Sequence, residues 1–182
     1  MREIEIKLKA PNLEEVTKKL ISLGCKISEP TTQKDINFVH INDIKWFESN
    51  GGDWLYPRLR IQKGKPLIFT VKKPIQNEMD CIEHELEINS EEELRGIMNL
   101  FNYREGVTVE KTRRKCVLND YTITLDQVKN LGDFIEIEKV VKDGDAEKIQ
   151  SEMFEFAKDN FGLEKDNEIM KGYDILIHLN KK

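Results

Sequence analysis

The charges of this chain recur two residues apart and in paired signs: Glu3 and Glu5 with Lys7, Arg58 with Arg60, Lys111 with Arg113 and Lys115, and Glu136 with Glu138. Residues two apart in an extended chain share a face, so each group reads as the polar face of one strand. Carboxylate oxygens suit hard divalent cations such as Mg²⁺ or Mn²⁺, arginine forks match phosphate oxygens two at a time, and lysine adds point charge. Gathered in one place, these residues would hold a polyphosphate together with its metal. Taken strand by strand they have a plainer reading, a solvated sheet face whose opposite charges pair across strands for a few tenths to about 1 kcal/mol each. The two readings diverge if the sheet closes with its charged faces inward. Buried charges are costly unless something else shares them, and a metal-bound polyphosphate would do so.

The elements that must position these residues are legible in the hydrophobic pattern. Arg2 to Lys9 alternates throughout, with Ile4, Ile6 and Leu8 on one face and Glu3, Glu5, Lys7 and Lys9 on the other. Further strands are expected near 33–41, 55–62, 66–73 and 80–88, the last with Glu83, Glu85 and Glu87 on one face, and then at 106–118, 120–128 and 132–142. One helix is expected from 12 to 23, where Asn12 caps, Glu15 sits three residues on and Gly24 ends the run. A second follows Ser90, with Glu93 at the capping-box position and Leu94, Ile97, Met98 and Phe101 as its apolar stripe. A third runs from Asp145 to about Phe161 and stops at Gly162, and a short tail helix falls within 169–179. Strands in meander order with three or four helices favour an antiparallel sheet or barrel of the α+β class.

The 182 residues suit one domain across 1–182. Lys plus Arg total 29 against 34 Asp plus Glu, so 35% of the chain is charged while the net charge is only −5. Such a balance argues against a generic nucleic-acid coat, and 38% apolar content argues against disorder. No apolar run exceeds three residues, against roughly 20 for a membrane-spanning helix, and the opening residues form no apolar leader, so a cytoplasmic setting without membrane attachment is expected. Cys25, Cys81 and Cys116 are odd in number and widely spaced, which reads as reduced thiols. His40, His84 and His178 lie far apart, and His84 alternates out of phase with Glu83 and Glu85, so surface or packing roles are expected. Trp46 and Trp54 flank Gly51 and Gly52 and either anchor a loop on the rim or stack on a ring of the ligand.

The order of the motifs resembles the CYTH superfamily, the triphosphate tunnel metalloenzymes, which includes class IV adenylate cyclases and thiamine triphosphatases. The resemblance rests on Glu3-Ile4-Glu5-Ile6-Lys7, Gln33-x-Asp35, Arg58-Leu59-Arg60, Phe69-Thr70-Val71-Lys72, His84-Glu85-Leu86-Glu87, Lys111-x-Arg113, Leu125-Asp126-x-Val128 and Phe134-Ile135-Glu136-Ile137-Glu138. It runs from residue 2 to about 177 and is similar in layout to the class IV adenylate cyclase branch, including a terminal Tyr173 helix. The chain departs from the family at Lys73, Asn37 and Gly172, where glycine, an aromatic and serine are common.

The resemblance implies an eight-stranded antiparallel β-barrel with flanking helices, its tunnel taking a linear triphosphate with Mg²⁺ or Mn²⁺. It implies Glu3, Glu5, Glu85, Glu136 and Glu138 as metal-side acids and Lys7, Arg58, Arg60, Lys72, Lys111, Arg113 and Lys171 as the phosphate cradle, with Lys7, Asp126 and Arg113 closest to catalysis. Two reactions fit that constellation. ATP would be cyclised to cyclic AMP with pyrophosphate leaving, or inorganic triphosphate, thiamine triphosphate or a nucleoside triphosphate would be hydrolysed. A non-catalytic polyphosphate sensor would keep the cradle and lose the acids, and this chain keeps both. The ligand is expected to be a small triphosphate rather than sequence-specific nucleic acid, and a homodimer through a barrel edge or the tail helix is an option.

Overall fold

The computed structural model describes residues 2–41 and 55–180. Trp46 and Trp54 lie outside the described residues. The strands are β1 (Arg2–Lys9), β2 (Thr31–His40), β3 (Tyr56–Gln62), β4 (Leu67–Pro74), β5 (Asp80–Ile88), β6 (Tyr103–Leu118), β7 (Tyr121–Val128) and β8 (Gly132–Val141). They close into an antiparallel barrel in the order β1-β5-β4-β3-β2-β6-β7-β8, which seats the N-terminal strand between β5 and β8. Closure gives each of these strands a neighbour on both sides, over only three residues where β1 meets β5.

Local chemistry explains the helices α1 (Leu13–Ser22), α2 (Glu91–Leu100), α3 (Ala146–Phe161) and α4 (Tyr173–Leu179). The side chains of Asn12, Ser90 and Asp145 accept from the backbone N–H groups of Glu15, Glu93 and Lys148, and Gly162 ends α3 at φ 65°. α1 and α3 bury Val16, Leu20, Met153 and Ala157 against the outward residues Ile6, Leu8, Ile123, Leu125, Ile135 and Ile137. α2 covers Ile36, Phe38 and Leu59 with Leu94 and Met98. Its stripe is narrower than expected, since Ile97 and Phe101 are exposed. With their apolar faces covered from outside, the strands turn their charged faces into the lumen.

Two features were not legible in advance. β6 begins at Tyr103 rather than 106 because Gly106 forms a bulge opposite β2, where the register shifts between Ile36 and Phe38. A Cβ on Gly106 would stand 2.5 Å from Cγ2 of Val39, so glycine is what lets β6 continue there. α4 also enters the barrel end, where Tyr173 and Ile177 pack on Val107, Val109, Val128 and Phe134. The interior is therefore polar through its middle and apolar at the α4 end.

Candidate active site

The inward residues divide by strand. β5, β1 and β8 are adjacent and carry Glu83 and Glu85, Glu3 and Glu5, and Glu136 and Glu138. On the wall across from them, β3 and β6 carry Arg58, Arg60, Lys111, Arg113 and Lys115. Lys7 on β1 and Lys72 on β4 stand among the acids, and all of these side chains line one cavity of about 200 Å³.

The β6 wall is held by fixed pairs. Nε of Arg113 donates to Asp126 Oδ1 at 2.6 Å, its Nη2 donates to Asp126 Oδ2, and Nη2 also reaches Glu136 Oε2 at 2.5 Å. Glu136 accepts from Thr124 Oγ1 at 3.2 Å and lies 3.4 Å from Lys7 Nζ. Burial works against both charges, but Glu136 and Asp126 hold the Arg113 guanidinium well above its ordinary value. Arg113, Lys7 and Lys111 likewise outweigh burial to hold Glu136 well below the usual carboxylate range.

Asp35 organises the other cations. It accepts from Arg60 through both oxygens at 2.8 and 2.9 Å, and stands 3.3 Å from Lys111 and 3.9 Å from Arg58. Lys111, Arg58 and Arg60 overcome burial and keep Asp35 well below its usual range. Lys111 itself is pushed down to about 8, first by burial and then by Arg113. Lys72 bridges Glu83 at 2.5 Å and Glu3 at 3.3 Å. Burial, and then a hydrogen bond with Glu83, raise Glu3 to about 7. In Glu83 burial is outweighed by Lys72 and by the same bond, so Glu83 stays ionised.

Glu5 and Glu138 differ from the other acids. They face each other across the β1–β8 ladder, and among the described residues neither takes an ion pair or a side-chain hydrogen bond. Burial raises Glu5; the charges of Lys72 and Lys7 pull it down, and those of Glu136 and Glu138 push it further up. Like charges placed directly opposite repel, so this pair is suited to a cation between them. Among the described residues no three acids converge at metal-ligand geometry. Mg²⁺ does not need three, because it characteristically takes one or two carboxylates and fills its octahedron with water and substrate phosphate oxygens. The all-oxygen pair fits a hard divalent cation on that basis.

Most of the residues expected from sequence meet in this cavity: Glu3, Glu5, Lys7, Arg58, Arg60, Lys72, Glu85, Lys111, Arg113, Glu136 and Glu138. Glu85 sits toward the open end and accepts from Thr70 Oγ1 at 2.8 Å. Asp126 does not line the cavity. It is fully buried, and both its oxygens accept from the Arg113 guanidinium. The Lys171 side chain is not part of the lining either, although its carbonyl accepts from Lys7 Nζ at 3.3 Å. The sequence reading left Glu83 and Asp35 without a role. The alternation of Glu83 with Glu85 was the available signal for the first, and the Gln33-x-Asp35 motif for the second. Tyr56 also lines the cavity, in phase with Arg58 and Arg60 on β3, whereas Glu78 and Asp174 had no such signal, because a loop and a helix start bring them there.

The CYTH domain family model matches residues 1–173. The chain is 31% identical over 176 residues to a Methanocaldococcus jannaschii protein named "Putative adenylate cyclase MJ0240", covering 95% of this chain and 97% of that one. The fold is similar to that of the PH1819 protein from Pyrococcus horikoshii, with a TM-score of 0.80 and 26% identity over 99% of both chains. It is also similar to a Hippeastrum protein, HpAC1, described as a "putative adenylyl cyclase" with a dominant triphosphatase activity, with a TM-score of 0.61 and 15% identity over 87% of both chains. The inward charges of a closed eight-stranded barrel and the match along nearly the whole chain lead to one conclusion: this protein belongs to the CYTH domain family.

Proposed function

We propose that the protein is a divalent-metal-dependent enzyme acting on a linear triphosphate, and that its reaction is of the class IV adenylate cyclase type, converting ATP to cyclic AMP and pyrophosphate. The observation that carries the metal-dependent reading is the facing pair Glu5 and Glu138, which among the described residues take no ion pair or side-chain hydrogen bond, across the lumen from a preorganised arginine and lysine wall. The 31% identical relative along 95% of the chain supports the cyclase choice by its name. Buried unpaired thiols at Cys25, Cys81 and Cys116 support a cytoplasmic setting. No helix among the described residues is long and apolar enough to cross a membrane.

In this reading Glu5 and Glu138 would hold Mg²⁺ or Mn²⁺, with Glu3 beside them, and the chemistry such an ion would supply is withdrawal of charge from phosphate oxygens. Arg58, Arg60, Lys72, Lys111 and Arg113 hold the triphosphate by charge-assisted hydrogen bonds. They are already fixed by Asp35, Asp126, Glu83 and Glu136, so little reorganisation is needed as charge develops on the leaving phosphates. Lys7, between Glu136 and the lumen, adds a cation on the acidic side. In cyclisation the clamp holds the departing pyrophosphate while the ribose 3′-hydroxyl attacks the α-phosphorus. In hydrolysis the same clamp would hold the phosphates while water attacks the terminal phosphorus.

Hydrolysis of a triphosphate is the second reading. It is favoured by a cavity lined mostly by charged groups. The Hippeastrum protein supports it too, since the same barrel there is described with triphosphatase activity. The deciding experiment separates products by ion exchange after incubation with ATP, inorganic triphosphate and thiamine triphosphate, each with Mg²⁺, Mn²⁺ or chelator. Cyclic AMP with pyrophosphate establishes the cyclase. Orthophosphate released fastest from inorganic or thiamine triphosphate establishes the hydrolase, and inertness toward all three with metal present removes the enzyme reading.

A further inference from the structure

Tyr173, the first residue of α4, is packed edge-on against Phe134 with ring centroids 5.1 Å apart, within the apolar cluster at the barrel end. A core aromatic would need nothing more. Two lysine ammoniums nevertheless lie over this ring, Lys7 at 4.5 Å from the centroid and Lys111 at 5.2 Å. Both distances fall within the reach of a cation–π contact, and such a contact strengthens when water is excluded. The two lysines come from β1 and β6, which are separated around the ring by β8 and β7, so no strand pairing sets their spacing. The Tyr173 hydroxyl is buried, and burial, Glu136 and the neighbouring Asp126 carboxylate hold it well above its ordinary value; the ring-face contacts with the two lysines are separate from it. The same end of the chain holds Lys7 a second time, through the carbonyl of Lys171.

We propose that Tyr173 is a positioning residue for triphosphate: its ring carries the ammoniums of Lys7 and Lys111 from opposite walls and sets them at the separation from which both reach one phosphate chain. The inference rests on the reading of the barrel as a triphosphate site. The negative face of the ring attracts both ammoniums. Anion binding then depends on an aromatic that touches no phosphate, and the C-terminal helix becomes part of the binding site.

The test is calorimetric binding of inorganic triphosphate to the full chain in the presence of chelator. Tyr173→Phe serves as the reference, and a ring-trifluorinated phenylalanine in place of Tyr173 keeps the shape while draining the ring face of charge. The fluorinated ring is expected to weaken binding roughly three- to tenfold relative to Tyr173→Phe, with the melting temperature unchanged. In a Lys7→Met, Lys111→Met background the same fluorination is expected to have no effect, because the cations it acts through are gone. A merely packing role predicts equal affinity for the two aromatic rings, and that result overturns the proposal. Tyr173→Leu is expected to weaken binding at least as much as fluorination does, and if it unfolds the protein the fluorinated ring still decides. Absence of triphosphate binding by the unaltered protein overturns the function reading and this proposal together, whereas binding with a flat response to fluorination overturns this proposal alone.

Discussion

Glu5 on β1 and Glu138 on β8 stand directly opposite each other in the barrel wall, both facing the lumen, and among the described residues neither takes an ion pair within 4 Å, although the charges of Lys72 and Lys7 reach Glu5. Every other acid of the lumen expected to bind metal is already engaged: Glu136 with Arg113, Glu3 with Lys72, and Glu85 with Thr70. The barrel thus separates acids that neutralise its own basic wall from acids left available to an external cation.

Replacing either member of the pair tests that separation. Glu5→Gln and Glu138→Gln are each expected to lower Mg²⁺-dependent turnover by about a hundredfold or more, the upper end of what lost support of a metal site costs. Metal-free binding of inorganic triphosphate should tighten, since a negative charge has left the lumen. Initial rates and calorimetry with chelator check both statements. Relief of like-charge repulsion should also raise metal-free stability by a few tenths to about 1 kcal/mol, read by denaturant unfolding.

Lys111 sets a pH dependence. Its folded-state value of about 8 lies below the ordinary 10.5, so from about 8 to 10.5 the unfolded chain binds more protons than the fold. The penalty of its buried charge is complete below about pH 8 and is relieved as pH rises, so this group's contribution to stability increases through that window. Binding runs the other way. Metal-free triphosphate affinity should fall as pH rises past about 8, and binding near that pH should take up a proton. Calorimetry in two buffers of different ionisation enthalpy measures the uptake, which Lys111→Met should abolish.

Asp126 supports Arg113 through both oxygens, so Asp126→Asn leaves a buried guanidinium with half its clamp. Removing one partner of such a pair costs about 3–5 kcal/mol, a loss that denaturant unfolding would show directly. Arg113→Lys is expected to lose affinity for triphosphate despite keeping the charge, because an ammonium cannot reproduce the fork.

Gly106→Ala should destabilise the fold by about 1–3 kcal/mol, the usual cost of overpacking, because the new Cβ meets Val39 at the bulge. Thermal unfolding checks it. An unchanged midpoint would mean that β2 and β6 can part at the bulge without loss.

Much of this was legible from local pattern. Helix starts at Asn12, Ser90 and Asp145 were readable because a cap is a contact over three residues, and the stop at Gly162 because a left-handed backbone favours glycine. The inward set was readable because a strand's faces alternate strictly, which placed Glu3, Glu5 and Lys7 together and opposite to Ile4, Ile6 and Leu8. Alternation cannot say which side chain answers which. Arg60 and Asp35 read as separate motifs until β2 and β3 bring them into register, and nothing in the alternation says that both oxygens of Asp126 accept from Arg113.

By itself, then, the sequence determined which residues each strand would present to one side, where the helices begin and end, and that the charged set suits phosphate and metal. Only the tertiary structure decided that β1 sits between β5 and β8, that this gathers the acids on one wall, and that Tyr173 stands beneath lysines from β1 and β6. The reason is physical. Periodicity and capping act over a few residues of chain, whereas strand order, register and the pairing of buried charges are settled by contacts between segments more than a hundred residues apart, as Glu5 and Glu138 are.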